Sequence, residues 1–338
     1  MATVQLTDVY NPLVFAQAEQ ELQIELNRFI SSGVAVIDPR INAMASQGGN
    51  IGELPFYKPL GTDEPNYSND NSSDNSTPQN VTDSKMVYRL ASQNASWSTM
   101  DLARELALSD PAAAITGRIA EYWATNNERR IIQSIRGVTA DNIDNYNGDM
   151  VFDISAGTDT VVDDSNLIDA DAIVDAVQTM GDHKQNIGIM ACHSVVKARL
   201  QKLNLIDFIP DSQGVIVDQQ YMGYSIIEDD SLAGVTYGTT PENTYYDTIF
   251  FGAGQIALGE GRVQNASELD RDPSSGNGGG QSILYSRRSD IIHPAGFTFE
   301  SAAVAGQSAT QAELAQAVNW DRVFERKNIA LAILRSTG

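Results

Sequence analysis

The sequence of 338 residues predicts an α+β fold, in which a few helices are interspersed with many short strands. One long amphipathic helix is predicted at 111–136, and a mixed region of short, glycine-punctuated strands follows it. Only two helices, at 169–181 and 194–203, separate those strands, so a doubly wound parallel sheet is not favoured. A chain of this length buries a large core without disulfides or metal staples.

Composition excludes several classes of function. The formal net charge is −22, because 44 acidic residues outnumber 22 basic ones. A general DNA-binding role is not favoured, since contacts to phosphates need clustered Lys and Arg. The single Cys192 excludes an intramolecular disulfide framework. No apolar run approaches the roughly 20 residues of a membrane span, and the N-terminus has no secretory signal.

Acidic residues are also segregated along the chain. No Lys or Arg occurs between Arg136 and Lys184, a stretch that carries eleven Asp residues. Segments of this kind are typical of solvated faces that keep a protein soluble at high local concentration.

The first helix is predicted at 11–30, where Asn11 can cap the helix and Pro12 suits its first turn. Gly33 is expected to end it. Its apolar face consists of Phe15, Ala18, Leu22, Leu26 and Phe29. Because this helix lies so near the N-terminus, we expect no long pro-domain before it.

Strands predicted at 51–58 and 85–97 flank a tract at 61–84 that is rich in Asn, Ser, Asp and Pro. Taken alone, the tract resembles a disordered linker. A long hairpin with a polar tip is not stable by itself in water, so we expect a neighbouring subunit to order it. The alternative is a surface loop packed on its own domain.

The helix at 111–136 has Asp110 as a cap, Pro111 as its first residue and Gly137 as its expected end. At ~1.5 Å per residue it would span about 40 Å. In the remaining chain, 268–282 is predicted to be a flexible excursion, and a strand pair is predicted at 282–290 and 297–303. The other expected features are strands at 187–191, 214–217, 224–227, 248–251 and 328–334, and a capping box from Thr310 to Glu313.

The sequence offers little catalytic chemistry. Cys192 and His193 are adjacent, a spacing that normally points the two side chains in different directions, so a nucleophile–base pair is not favoured. Gly252, Gly254 and Ala257 match the dinucleotide fingerprint, but glycines follow where the required helix should begin, which indicates a strand and turn. A calcium loop around Gly148 lacks the required end ligands. Paired carboxylates of a glycoside hydrolase remain open, because their separation is a structural quantity.

Four segments, in order along the chain, resemble the major capsid proteins of tailed bacteriophages. These proteins share the Hong Kong 97-like fold with bacterial encapsulins. The segments are GGNIGELPFYKPLG at 48–61, FFGAGQIALGEG at 250–261, IIHPAGFTFE at 291–300 and NWDRVFERKNIALAILRSTG at 319–338. These sequence similarities are less specific than a metal-binding motif. They nevertheless occur in the family's order across nearly the whole chain.

The resemblance implies a role for each part of the chain. Residues 1–44 would form the N-terminal arm, and 45–97 the extended loop that overlaps an adjacent subunit. The peripheral domain would comprise 98–160 and 281–338, with the helix at 111–136 as its spine. The axial domain would comprise 161–280.

The implied function is structural. The chain would assemble with copies of itself into hexamers and pentamers of an icosahedral shell in the virion, built in the host cytoplasm around double-stranded DNA. The implied partners are a separate scaffolding protein, a portal and decoration or head-completion proteins, with no cofactor and no membrane. The residues expected at subunit contacts are Phe56, Tyr57, Lys58, Arg129, Arg130, Arg287 and Arg288.

Two alternatives to a phage shell remain from the sequence. An encapsulin-like compartment would share the fold but enclose a cargo enzyme, and it usually has a shorter chain without so polar a hairpin. An acidic cytoplasmic hydrolase would be a monomer or small oligomer that depends on a carboxylate pair.

Overall fold

A computed structural model describes residues 28–45, 49–58, 64–78, 83–101, 111–158, 160–203, 206–210, 216–239, 242–261 and 263–337. The helices are α1 (Arg28–Ser31), α2 (Pro39–Ala45), α3 (Pro111–Asn145), α4 (Ala170–Gln178), α5 (Ser194–Lys202) and α6 (Gln311–Leu314). The first strands are β1 (Ala35–Ile37), β2 (Ile51–Tyr57), β3 (Asp83–Arg89), β4 (Ala91–Met100), β5 (Val151–Asp153), β6 (Ile187–Cys192), β7 (Asp207–Pro210) and β8 (Ile216–Tyr221). The later strands are β9 (Tyr224–Glu228), β10 (Val235–Tyr237), β11 (Asn243–Gly252), β12 (Ile256–Glu260), β13 (Ser267–Asp272), β14 (Gln281–Pro294), β15 (Phe297–Phe299), β16 (Trp320–Arg322) and β17 (Leu331–Thr337).

Helix α3 is longer than the sequence predicts. It begins at Pro111 as expected but continues through Gly137 to Asn145, a total of 35 residues or about 50 Å. Its end is instead set by Asn147 and Gly148, which both have positive φ, and the Gly148 amide donates to the Asn142 carbonyl. Helices commonly end in this way, with a residue in the left-handed backbone conformation that glycine favours. The prediction that Gly137 ends the helix was therefore wrong.

An eight-stranded sheet separates the two largest apolar cores. Its order is β5-β17-β11-β6-β9-β8-β7, with β10 paired to β11. Alternate residues of β11 face opposite sides: Phe251 joins the core under α3, whereas Phe250 joins the core under α4 and α5. Because both faces are covered, β17 is buried along almost its whole length, and its first four residues are all apolar. The sheet brings β17, near the C-terminus, beside strands from the middle of the chain.

A five-stranded sheet is built around β14, the longest strand. Its N-terminal half pairs with β13 on one side and with β4 on the other, from Met100↔Gln281 to Ala91↔Asp290. Its C-terminal half pairs with β12, and β1 lies parallel to β12 at one edge. Helix α3 crosses this sheet, and the Trp123 indole donates to Ser286 Oγ at 2.9 Å.

The strands β2 and β3 form a separate antiparallel hairpin, from Ile51↔Arg89 to Tyr57↔Asp83. Its base packs on the same subunit: Leu54 and Tyr88 join a small core with Ile41 and Ile291. Between the strands, the described residues 64–78 are exposed and contain neither helix nor strand.

Two predictions about the β13–β14 region were wrong. Residues 268–282 are not a continuous flexible excursion, because β13 pairs with β14 along its whole length. The strand was missed because all six of its residues are exposed, so no apolar alternation marks it. The segments 282–290 and 297–303 do not pair with each other either. Both sides of β14 are already occupied, and β15 pairs with β16.

Most other predicted elements are confirmed with shifted ends. Both helices between the strands occur as α4 and α5, and the capping box of Thr310 and Glu313 is formed in both directions. The helix predicted at 11–30 falls largely outside the described residues; its last turn is α1, followed by Gly33 with a φ of 80°. The predicted strands at 214–217 and 328–334 correspond to β8 and β17, which begin later.

Candidate assembly surface

The three predicted contact residues of the hairpin differ in their surroundings. Phe56 is half-buried and packs edge-on against Phe324 of its own subunit, with ring centroids 4.8 Å apart. Tyr57 is 78% exposed, and Lys58 is also exposed. The end of β2 therefore presents Tyr57 and Lys58 outward, whereas Phe56 anchors the strand internally.

Helix α3 places the adjacent Arg129 and Arg130 in opposite environments. Arg129 is exposed and forms no ion pair with any residue that the structure describes. Arg130 is buried, and its Nη1 donates to the Ala309 carbonyl at 3.0 Å. Burial lowers the pKa of Arg130, and the Asp290 carboxylate opposes this shift. Arg130 therefore links α3 to the interior of the subunit, and only Arg129 is available to a neighbour.

Strand β14 likewise directs Arg287 and Arg288 to opposite faces of its sheet. Arg287 Nη1 lies 2.9 Å from Glu268 Oε2 on β13. The Arg288 guanidinium lies over the ring of Trp123 on α3, 5.7 Å from its centroid. Both side chains are half-buried, so each is oriented within the subunit and still reaches solvent.

Sequence reasoning missed Glu268 as the partner of Arg287, because 268–282 was predicted to lack structure. The available signal was the run Ser-Glu-Leu-Asp-Arg-Asp at 267–272, which places charges in a short segment before a glycine-rich turn. Charged side chains protect an exposed sheet edge from unwanted pairing. The same pattern is thus typical of an edge strand as well as of a loop.

The adjacent Cys192 and His193 both have structural surroundings. Cys192 is buried, and burial raises the pKa of its thiol to about 12, so it is not a nucleophile at neutral pH. The adjacent His193 caps α5 through Nδ1, which accepts from the Val195 amide. Within the described ranges, no three His, Cys, Asp or Glu side chains are placed to hold a metal ion.

The glycines of the dinucleotide-like segment are structural, as the sequence indicated. Gly252 ends β11 against Ala330, where a Cβ would overlap the Ala330 side chain. Gly254 has a φ of 68° in the turn that leads directly into β12. A strand therefore follows where a dinucleotide site requires a helix N-terminus. Among the described helices, none is both long and apolar enough to cross a membrane.

Comparison with known proteins decides the family. Residues 7–330 match the Gp13-like family, described as major capsid protein 13-like. The chain belongs to this family. It is also 32% identical to the major capsid protein of Bacillus phage SPP1, over 98% of this chain and 97% of that protein. The chain is therefore a structural protein of a phage capsid, and its location is the virion.

Solved structures agree on the fold. The capsid of Ralstonia phage GP4 matches with a TM-score of 0.57 at 9% identity, covering 93% of this chain and 92% of that chain. The capsid of cyanophage Pam1 matches with a TM-score of 0.56 at 10% identity, covering 87% and 86%. These similarities confirm the predicted Hong Kong 97-like α+β fold. The relatives favour a phage capsid over an encapsulin compartment or an acidic hydrolase.

Proposed function

We propose that this capsid protein assembles into hexamers and pentamers of a closed icosahedral shell around double-stranded DNA. The observation that carries the proposal is the 32% identity with the SPP1 major capsid protein over nearly the full length of both chains. Rotational contacts close subunits into rings, and further contacts link the rings into a shell. The role is structural rather than enzymatic.

The proposed parts of the subunit follow the sequence assignment. Residues 1–44 are the arm, 45–97 the extended loop, and 161–280 the axial domain. The peripheral domain comprises 98–160 and 281–338, with α3 as its spine. The exposed polar segment 64–78 supports the loop assignment, because it makes no sheet of its own and suits contact with a neighbour.

The proposed partners are a separate scaffolding protein during assembly, a portal, and decoration or head-completion proteins. DNA is enclosed without sequence-specific binding. The net charge of −22 supports this, because a wall that attracted phosphates would hinder packing and release of the genome.

The test is expression of the chain alone and with its neighbouring genes, followed by negative-stain electron microscopy and sedimentation. We expect icosahedral shells, with the scaffolding gene improving their uniformity. A small, homogeneous oligomer under every salt and scaffold condition would contradict the proposal. Co-purifying DNA would favour the phage shell, and a co-purifying cargo enzyme would favour a compartment.

A further inference from the structure

The sequence contains an Asn-Gly pair at two places, and both lie in connections between regular elements. Asn147 and Gly148 follow α3, whereas Asn277 and Gly278 lie between β13 and β14. Both asparagines are exposed and have positive φ, 54° for Asn147 and 57° for Asn277. In such a pair the glycine nitrogen can attack the carbonyl carbon of the asparagine side chain, because no Cβ on the glycine hinders the approach. The two pairs therefore carry the same reactive groups in similar backbone conformations.

The amide of Gly148 is held firmly by the end of α3. It donates to the Asn142 carbonyl at 3.0 Å. Asn142 is itself buried, and its side chain accepts from the Met150 amide at 3.0 Å and donates to Asp149 at 2.7 Å. A hydrogen-bonded amide reacts only from a locally opened state. This connection must therefore open before Gly148 can attack Asn147.

The amide of Gly278 is held much less firmly. Its contact with the Ser274 carbonyl is 3.4 Å long, beyond the usual N–H···O distance. The surroundings are open, since a Cβ on Gly278 would have no heavy atom within 4 Å. Four of the five residues at 276–280 are glycine, the residue with the greatest backbone freedom. Rotation within this connection therefore brings the Gly278 nitrogen to Asn277 without disrupting a helix end.

We propose that Asn277 is a site of spontaneous deamidation and that the fold protects Asn147 from the same reaction. The Gly278 nitrogen bonds to Asn277 Cγ, the Cγ–Nδ2 bond breaks, and Nδ2 leaves as ammonia with the proton from the Gly278 amide. Water then cleaves one of the two C–N bonds of the cyclic imide, which gives an aspartyl or an isoaspartyl residue. The reaction needs only water, so the proposal goes beyond the proposed function and does not depend on it.

The modification changes the connection between β13 and β14. Either product adds a carboxylate there, and the isoaspartyl product also adds a methylene group to the main chain. Gly280 at the end of this connection lies against an ion pair, in which Arg271 Nη2 is 2.6 Å from Asp101 Oδ2. A Cβ on Gly280 would be only 2.5 Å from the same oxygen, so the packing here is close. A longer backbone should therefore disturb the start of β14, and the charge at this position should change as the protein ages.

The first test incubates unassembled full-length subunits for several weeks at mildly alkaline pH and maps their peptides by mass spectrometry. Trypsin releases 272–287, in which Asn277 is the single asparagine, and cleavage before aspartates releases 144–148. We expect Asn277 to be converted at least about ten-fold faster than Asn147, because Asn147 reacts only after local opening. In concentrated urea the two rates should become similar, since both asparagines precede glycine. No conversion at Asn277, or equal rates at the two sites in the folded subunit, would overturn the proposal.

The second test detects the isoaspartyl product directly. Aged subunits are treated with an isoaspartyl O-methyltransferase and a radiolabelled methyl donor, and the incorporated label is counted. We expect Asn277→Gln to lose most of the label, because the larger ring that glutamine would form closes much more slowly. Asn147→Gln is the matched control at the other Asn-Gly pair and should retain the label. Equal labelling of Asn277→Gln and the unmodified chain would show that the modification lies elsewhere and would overturn the proposal.

Discussion

Gly137, in the last third of α3, lies directly against the indole ring of Trp320 in β16. A Cβ on Gly137 would be 2.6 Å from Trp320 Cδ1 and would also overlap the Leu314 carbonyl oxygen. The same carbonyl accepts a hydrogen bond from Trp320 Nε1 at 2.7 Å. The glycine is therefore required for close approach between the helix and the C-terminal segment, not for ending the helix.

This relationship predicts that Gly137→Ala destabilises the subunit, although alanine is the better helix former. The helical preference would contribute about 1 kcal/mol in favour of alanine. Overpacking against a buried indole and a backbone carbonyl costs about 1–3 kcal/mol or more, because neither neighbour is the end of a flexible side chain. We expect a net loss in the free energy of unfolding, measured by urea denaturation of unassembled subunits.

The matched control is Gly188→Ala in β6, where a Cβ would have no heavy atom within 4 Å. This change should leave the urea midpoint nearly unchanged or raise it slightly. If Gly137→Ala were as stable as the unmodified chain, the contact with Trp320 would not be the reason for glycine at this position.

Much of the fold could be predicted wherever a local sequence pattern is typical of only one kind of structure. Pro111 and the apolar stripe after it gave the start and type of α3, and Thr310 with Glu313 gave the start of α6. The errors occurred where a signal has two meanings. Glycine ends helices and also permits close packing, so Gly137 was misread. A polar segment is typical of both loops and exposed edge strands, so β13 was missed.

The adjacent Arg129 and Arg130 give a second prediction. Arg130→Glu should prevent stable folding or cost about 3–5 kcal/mol, because it would place a carboxylate in a buried site beside Asp290 and leave the Ala309 carbonyl without its donor. Arg129→Glu should change the free energy of unfolding by less than about 0.5 kcal/mol, because this side chain is exposed. Shell formation by Arg129→Glu should nevertheless decrease.

Urea denaturation measures how each variant changes the free energy of unfolding. Sedimentation of assembly reactions measures how it changes shell formation. Arg129→Lys is the control that keeps the charge and should assemble nearly normally. Normal assembly by Arg129→Glu would remove Arg129 from the contact surface, and a fully stable Arg130→Glu would contradict the buried position of that residue.

The candidate surface was less predictable than the fold, for a geometric reason. Consecutive residues are about 100° apart around a helix and face opposite sides of a strand, so a pair of arginines in sequence does not make a pair on a surface. The structure separates Arg129 from Arg130 and Arg287 from Arg288 in this way. Tyr57 and Lys58 remain predicted contacts.

The buried His293 is expected to make the subunit less stable in acid. Its ring is 2% exposed, and burial lowers its pKa to about 4, against about 6.5 for an unfolded chain, while a backbone hydrogen bond at Phe297 partly opposes the shift. The unfolded state therefore binds this proton more tightly. The free energy of unfolding should be unaffected by His293 above pH 6.5 and should fall by up to about 3 kcal/mol as the pH drops to 4.

Urea denaturation at several pH values checks this expectation. His293→Phe should flatten the profile between pH 6.5 and 4, because no ring nitrogen remains to be protonated there. His183→Gln, at a partly exposed histidine in the 3-10 helix Gly181–Asn186, is the matched control and should retain the slope. A His293→Phe profile parallel to that of the unmodified chain would contradict the prediction.

Asp141 on α3 is expected to have the opposite effect, so that its contribution to the free energy of unfolding decreases as the pH rises. Its carboxylate is fully buried, and Oδ1 accepts from Asn145 at 2.7 Å whereas Oδ2 has no hydrogen-bond partner in the described part of the chain. Its pKa is raised to about 6, mainly by burial; the nearby Asp321 and Asp144 carboxylates contribute to the rise, whereas the Asn145 hydrogen bond and Arg322 oppose it.

The folded state therefore binds the Asp141 proton more tightly than the unfolded state, so this group destabilises the subunit progressively as the pH rises from about 4 through 6. Asp141→Asn keeps the acceptor for Asn145 but cannot ionise, so it should raise the free energy of unfolding by up to about 3 kcal/mol at pH 8. The gain should disappear near pH 4, where the native carboxyl is neutral. Asp175→Asn, at an exposed position of α4, should show no such gain. An equal effect of Asp141→Asn at pH 4 and pH 8 would show that packing, rather than the buried charge, determines stability at this position.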